Sequence, residues 1–156
     1  MAVADFKGVT IKSLKYYRGL VEALIVSVWG EIAMEYIRIF TDDDGETHIE
    51  DCTMPYRTDV IAENVPPLHI SSLLKAEGVF FMHSEVDDSF KILPFHNAPR
   101  RMMVIQLTGS SEQTTSDGSV RLMKPGDILI AEDVTGKGHK SRNIGCEVLY
   151  AMLPLL

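Results

Sequence analysis

The stretch Lys124 to Asn143, KPGDILIAEDVTGKGHKSRN, constrains the fold more than any other part of the chain. Pro125-Gly126-Asp127 makes a turn, because proline presets one backbone angle and glycine tolerates the others. Ile128 to Ala131 follows as a short apolar run, the length of a strand. A glycine-rich loop, Thr135 to Gly138, then delivers His139, with Asn143 four residues later. Turn, strand, glycine loop and histidine is how a small β-barrel carries a functional side chain to its mouth.

The rest of the chain agrees with an all-β reading. Met34 to Phe40 reads as a strand, Thr41 to Gly45 as a turn and Glu46 to Asp51 as its hairpin partner. Met54 to Pro67 reads as loop. Leu68 to Leu74, Val79 to His83, Phe90 to Phe95, Met102 to Leu107, Ser119 to Met123 and Glu147 to Leu153 read as further strands. Glu85 to Ser89 reads as an acidic turn, and Thr108 to Gly118 as a polar turn region. Many short strands with frequent turns argue a barrel or sandwich. Residues 1–33 stand apart as an extension, and residues 34–156 form the barrel. In the extension, Leu14, Tyr17, Val21, Leu24, Ile25, Val28 and Ile32 fall in steps of three and four, which predicts an amphipathic helix. The β-branched residues between Leu24 and Trp29 leave strands as the alternative.

Length and charge limit what such a chain does. At 156 residues it is one domain, able to bury a core without disulfides. A net charge of -7 with no run of Lys or Arg argues against nucleic acid as a partner. The apolar run Gly19 to Trp29 follows Lys12, Lys15 and Arg18, but Glu22 interrupts it. It is also shorter than the ~20 apolar residues that span a bilayer, so no membrane is expected. Cys52 and Cys146 have no metal-type spacing and read as two reduced thiols of a cytoplasmic protein.

These residues resemble the cupin superfamily, small double-stranded β-helix barrels of the jelly-roll type. Gly126-Asp127 before a strand, Gly136 ahead of His139, and Asn143 match the second cupin motif. The first motif is degenerate. His96 fits its first histidine and Gly109 its closing glycine, but Ala98 stands where a second histidine is usual and Met102 where a glutamate is usual. The phrases HNAPRR, AEDVTGKGH and DDDGETHIED look like those of a subgroup of single-domain cupins. The resemblance covers roughly residues 34 to 153. It implies a jelly-roll barrel but no one reaction, because cupins host oxygenases, isomerases, decarboxylases, cyclases, epimerases and binders.

The residues themselves support two chemistries. A divalent metal (Fe, Zn, Mn or Ni) would bind His96 and His139, with His48 or Glu50 as a third ligand; the Met102 thioether is a poor donor for such ions. Acid/base chemistry needs no metal and is the first choice. If His96 points inward, strand alternation turns Ala98, Arg100, Met102, Val104 and Gln106 inward too. An irregularity at Pro99 would bring in Arg101 instead. His48 and Glu50 share one face, as do His139, Ser141 and Asn143. The expected catalytic set is therefore His139, His96, His48, Glu50 and Arg100, with Gln106, Met102, Asn143 and Arg101 against substrate. Such a set has a proton acceptor, a carboxylate and a fixed cation. It suits a lyase, dehydratase, decarboxylase, isomerase or cyclase acting on a carbonyl- or carboxylate-bearing small molecule. The alternatives are a metal-dependent dioxygenase and a non-catalytic binding module.

Several features have blander readings. Glu50 also fits a solvated strand position, and Arg100 also fits an ion pair with Glu132 or Asp133. His69 and His83 read as core or surface residues. Asp42-Asp43-Asp44 lacks the distal glutamate of a calcium loop. Gly136-Lys137-Gly138 matches no phosphate-binding pattern. The outer-face residues Met103 and Ile105, with the apolar face of residues 12–32, predict a homodimer.

Overall fold

Alternating apolar residues build the main sheet of this protein. Its computed structural model describes residues 33–85 and 93–156. Among these residues the strands are β1 (Ala33–Thr41), β2 (Thr47–Pro55), β3 (Arg57–Asp59), β4 (Leu68–Ile70), β5 (Phe80–Ser84), β6 (Met102–Thr108), β7 (Ser111–Thr115), β8 (Val120–Met123), β9 (Ile128–Ala131), β10 (His139–Asn143) and β11 (Val148–Pro154). The expected helix in residues 12–32, the turn beyond Glu85 and the first half of the strand expected at 90–95 lie outside the described residues, and Leu93 to Phe95 are not in a strand. No helix among the described residues is long and apolar enough to cross a membrane.

The strands form a large sheet in the order β2-β1-β9-β6-β11-β5, a smaller sheet β10-β7-β8, and the pair β3-β4. From β6 onward the chain alternates between the two larger sheets. It leaves β6 for β7 and β8, returns as β9, crosses to β10 and returns as β11. This coiling is a double-stranded β-helix, and the architecture is an all-β jelly roll.

The large sheet is apolar on both faces. Ile37 and Ile39 on β1, Met102 and Val104 on β6, Leu129 and Ala131 on β9, and Tyr150 on β11 point inward, where they meet Met123 of β8. Each fully buried side chain such as Ile39 contributes roughly 2 kcal/mol through removal of apolar surface from water. The alternate residues Met103, Ile105, Ile128 and Ile130 face outward, under Leu74, Ala76 and Leu155. Backbone bonds fasten that cover: Glu77 N–H donates to Pro154 O, and Leu155 N–H to Arg101 O. The outer face expected to need a second subunit is thus covered at Met103 by this chain's own residues.

Three boundaries differ from expectation. The turn region Thr108–Gly118 contains β7, the loop Met54–Pro67 contains β3, and the strand expected over Leu68–Leu74 ends at Ile70. The first difference has a clear cause. The inward residues of β7 are Ser111, Gln113 and Thr115, all buried. A strand whose buried face is polar shows no hydrophobic alternation.

Candidate functional site

The loop from Asp133 to His139 and the segment His96 to Ala98 meet at one end of the barrel. His96 N–H donates to His139 O at 2.8 Å, and His139 N–H returns a bond to His96 O at 3.0 Å. Ala98 N–H donates to Asp133 O at 3.2 Å. Gly138 makes this approach possible. Its φ is +78°, and a Cβ there would lie 2.3 Å from the carbonyl oxygen of His96. Only glycine fits both the angle and the gap.

The backbone bridge stacks the two imidazoles, with centroids 4.7 Å apart and planes tilted by 50°. His139 is 7% exposed, and Asp133 beside it is fully buried. His139 Nδ1 lies 2.7 Å from Asp133 Oδ2. A carboxylate accepts, so Nδ1 carries a proton, and in the neutral ring Nε2 is left with a bare lone pair. The other oxygen, Asp133 Oδ1, is buried with no hydrogen-bond partner among the described residues. His96 is more exposed and stands nearer the mouth. Its Nδ1 donates to Pro94 O at 2.9 Å, so in the neutral ring its Nε2 is bare as well.

Both rings line a cavity of about 340 Å³ between the two sheets. One wall is apolar, with Met102, Val104, Leu129, Ala131, Tyr150 and Met152 from the large sheet. The opposite wall is polar and carries no fixed positive charge: Gln113 on β7 and Ser141 and Asn143 on β10. Ser141 and Gln113 face each other across the ladder, as do His139 and Thr115. Burial pushes the Tyr150 phenol up, against a hydrogen bond with Ser111, so it stays protonated. Phe80 and Met82 of the edge strand β5, both exposed, stand at the open side.

The structure gathers part of the expected set and disperses the rest. His96, His139, Met102 and Asn143 line the cavity. His48 and Glu50 do share a face, but it is the outer one. Ile49 packs toward the core between them. Glu50 accepts from Arg38 at 2.7 Å, which holds its carboxyl below the usual range. His48 sits between Asp42 and Asp117. Arg100 pairs with Glu77 at 2.6 Å, and Arg101 pairs with Glu132. The strand begins only at Met102; the residues before it bend after Pro99, so alternation does not carry through to the two arginines. Gln106 is buried inside the barrel but bonded to the chain itself. His69 and His83 are exposed surface residues. Cys52 and Cys146 are free thiols.

Asp133 was accessible to sequence reasoning only as a partner for Arg100. Six residues and a glycine loop separate it from His139, and no spacing rule joins two residues across such a loop. Gln113 was hidden with the rest of β7. Ser141 was visible, through its parity with His139.

Of the described cavity-lining residues, His96 and His139 are the ones that could offer a metal an imidazole. Ala98 and Met102 stand where the resemblance to cupins would place two further ligands, and no group of three His, Cys, Asp or Glu side chains suited to an ion occurs among the described residues. Two imidazoles alone are a weak site for a divalent ion.

No protein-family model matches the chain, and no curated protein matches it significantly. Among solved structures it is similar to an ethanolamine utilization protein, EutQ, of Salmonella typhimurium, at 12% identity and a TM-score of 0.40, over 80% of this chain and 97% of that one. It is also similar to the cupin domain of Cnp3 from Schizosaccharomyces pombe, at 16% identity and a TM-score of 0.36, over 81% and 84%. The deciding observation is the winding of β6 to β11 between two sheets, with His96 and His139 paired at one end. The fold is a double-stranded β-helix jelly roll, the architecture that the resemblance to cupins implies. The positions that the resemblance matches to cupin metal ligands hold His96, Ala98, Met102 and His139, and His139, buried, leans on the buried Asp133.

Proposed function

We propose that this cupin is a small-molecule enzyme working by acid/base catalysis, of lyase, isomerase or cyclase type. The supporting observation is the Asp133–His139 pair, with Nδ1–H held by the carboxylate and Nε2 bare at a mostly apolar cavity. His139 Nε2 takes a proton from substrate; the electron pair of the broken bond stays on the substrate. Asp133 fixes the tautomer and stabilises the imidazolium that forms. His96 is the second group in reach. One proton added to the pair makes one ring a donor and the other an acceptor, which is what returning a proton at a second position requires.

The substrate is small, neutral and largely apolar. The expected anchoring cation is not in the cavity, since both arginines are engaged outside it. A carboxylate buried there would lack a compensating charge. The donor set likewise supports a reaction that proceeds without a metal.

The test is proton exchange. The protein is incubated in deuterium oxide with a panel of cyclic and acyclic hydroxyketones, and loss of the α-proton signal is followed by NMR. At least one member exchanges above the buffer rate, and His139→Gln abolishes that gain. A panel with no enzyme-dependent exchange, or an undiminished rate in His139→Gln, rejects the reading. Saturable binding without exchange would mark a binding module instead.

A further inference from the structure

The polar wall has a definite hydrogen-bond polarity, and it can be traced from its far end. Gln106 Nε2 donates to two backbone carbonyls, Gly109 O at 2.8 Å and Met123 O at 3.2 Å. Carbonyls only accept, so the amide cannot be turned around. Gln106 Oε1 therefore faces Ser111, whose hydroxyl donates to it at 2.8 Å. The Ser111 oxygen in turn accepts from Gln113 Nε2 at 3.4 Å. That leaves Gln113 Oε1 facing Ser141, which donates its single hydrogen to it. Ser141 thus presents only lone pairs to the cavity.

His139, His96 and Asn143 end the same way, whereas Ser84, Tyr150 and the second N–H of Gln113 keep donors among the lining groups. His139 has spent its N–H on Asp133, and His96 has spent its N–H on Pro94 O. Asn143 has spent its amide nitrogen on Ser84, at 2.9 Å to the hydroxyl and 3.2 Å to the carbonyl. Its remaining polar atom is a carbonyl oxygen. His139 and Ser141 are two apart on β10 and share a face, with their Cα atoms about 7 Å apart.

We infer that the cavity is built for a neutral ligand that donates hydrogen bonds from two places on an apolar body, the class of alicyclic or aromatic diols and hydroxyketones. At His139 and Ser141 an ether or ester of the same shape meets acceptors with acceptors. A carboxylate does so with a charge added. The inference rests on the cavity being the site proposed above, but on its binding polarity rather than on turnover.

Binding to the full chain is measured by ligand-observed NMR and calorimetry with probes on one ring: hydroquinone, 1,4-dimethoxybenzene and terephthalate. Hydroquinone binds about tenfold tighter than its dimethyl ether, the ratio expected from a net hydrogen bond or two, and terephthalate binds most weakly. Ser141→Ala narrows the hydroquinone advantage about threefold, and Ser141→Thr, which keeps the oxygen, restores it. Equal or tighter binding of the ether, tightest binding of terephthalate, or no saturable binding of any probe at millimolar concentration overturns the inference. Because no probe is turned over, a failed exchange assay leaves this result intact. Correct binding order without exchange removes only the catalytic reading.

Discussion

Two histidines of this barrel lean on aspartates, and they do opposite things. His48 lies on the outer face, half-buried. Its Nδ1 is 2.8 Å from Asp117 and its Nε2 is 2.8 Å from Asp42. Both ring nitrogens are used, and the ring ties the β1–β2 turn to the β7–β8 turn. His139 is buried, has one aspartate, and keeps its second nitrogen bare at a cavity. The same pair of residue types is a strut in one place and, under the function proposed above, a proton acceptor in the other. What decides is the number of carboxylates in reach and what lies beyond the second nitrogen.

The sharpest way to break this contrast is to remove each aspartate's charge. Asp133→Asn loses the acceptor that fixes the tautomer of His139, and exchange falls by about 10² to 10⁴. Its stability holds or rises, because the replaced carboxylate is buried with one oxygen lacking a partner. Asp117→Asn leaves exchange unchanged and lowers stability. Parallel rate assays and urea titrations of the two variants check this. Equal loss of activity in both would make the contrast meaningless.

The next effect is on the backbone that presents His139. Gly138→Ala must relieve a 2.3 Å contact with the His96 carbonyl and hold an alanine at φ +78°. It costs roughly 3 kcal/mol and separates the two imidazoles. Gly45→Ala, in the turn beside His48, has a similar φ of +81° but meets nothing within 4 Å. Its cost is only the left-handed penalty, about 1 kcal/mol. Urea midpoints of the two variants rank them, and a Gly138→Ala protein as stable as Gly45→Ala would show that the close approach is not needed.

The contrast also explains what the sequence could and could not disclose. The glycine loop and its histidine were legible because a turn, an apolar strand and a second turn each have local chemistry. The barrel followed from them. The parity of His48 with Glu50 was legible too, but not its direction: period two gives two faces and does not say which is inner. Ile49, between them, points to the core, and only the pairing of β1 with β9 settles that. Asp133 and Gln113 were not legible, since one acts across a loop and the other sits on a strand whose buried face is polar. The arginines were misplaced because alternation was extended through Pro99, where the strand has not yet begun.

The smallest expected effect concerns the strut. Hydrogen bonds that His48 donates first to Asp42 and then to Asp117 raise its pKa, against a smaller effect of burial. Only the imidazolium can donate from both nitrogens at once. The carboxylates move the other way. Asp42 is lowered, mainly by His48. Burial pushes Asp117 up, but hydrogen bonds from Ser119 N–H, Thr115, His48 and the Ser119 hydroxyl outweigh it and hold it at about 2. The signs follow from linkage. A raised histidine contributes in full below its unfolded value of about 6.5, and the contribution is lost as pH rises through the higher folded value. The Asp117 contribution is present above its ordinary carboxyl range and is lost as pH falls toward about 2. Wild-type stability relative to His48→Gln is therefore larger at about pH 6 than at about pH 9. Salt shrinks the difference, because the group is partly exposed. Urea midpoints of the two proteins at both pH values measure it. A gap that stays constant across that range would mean that His48 is held as the neutral ring, bonded to one aspartate at a time.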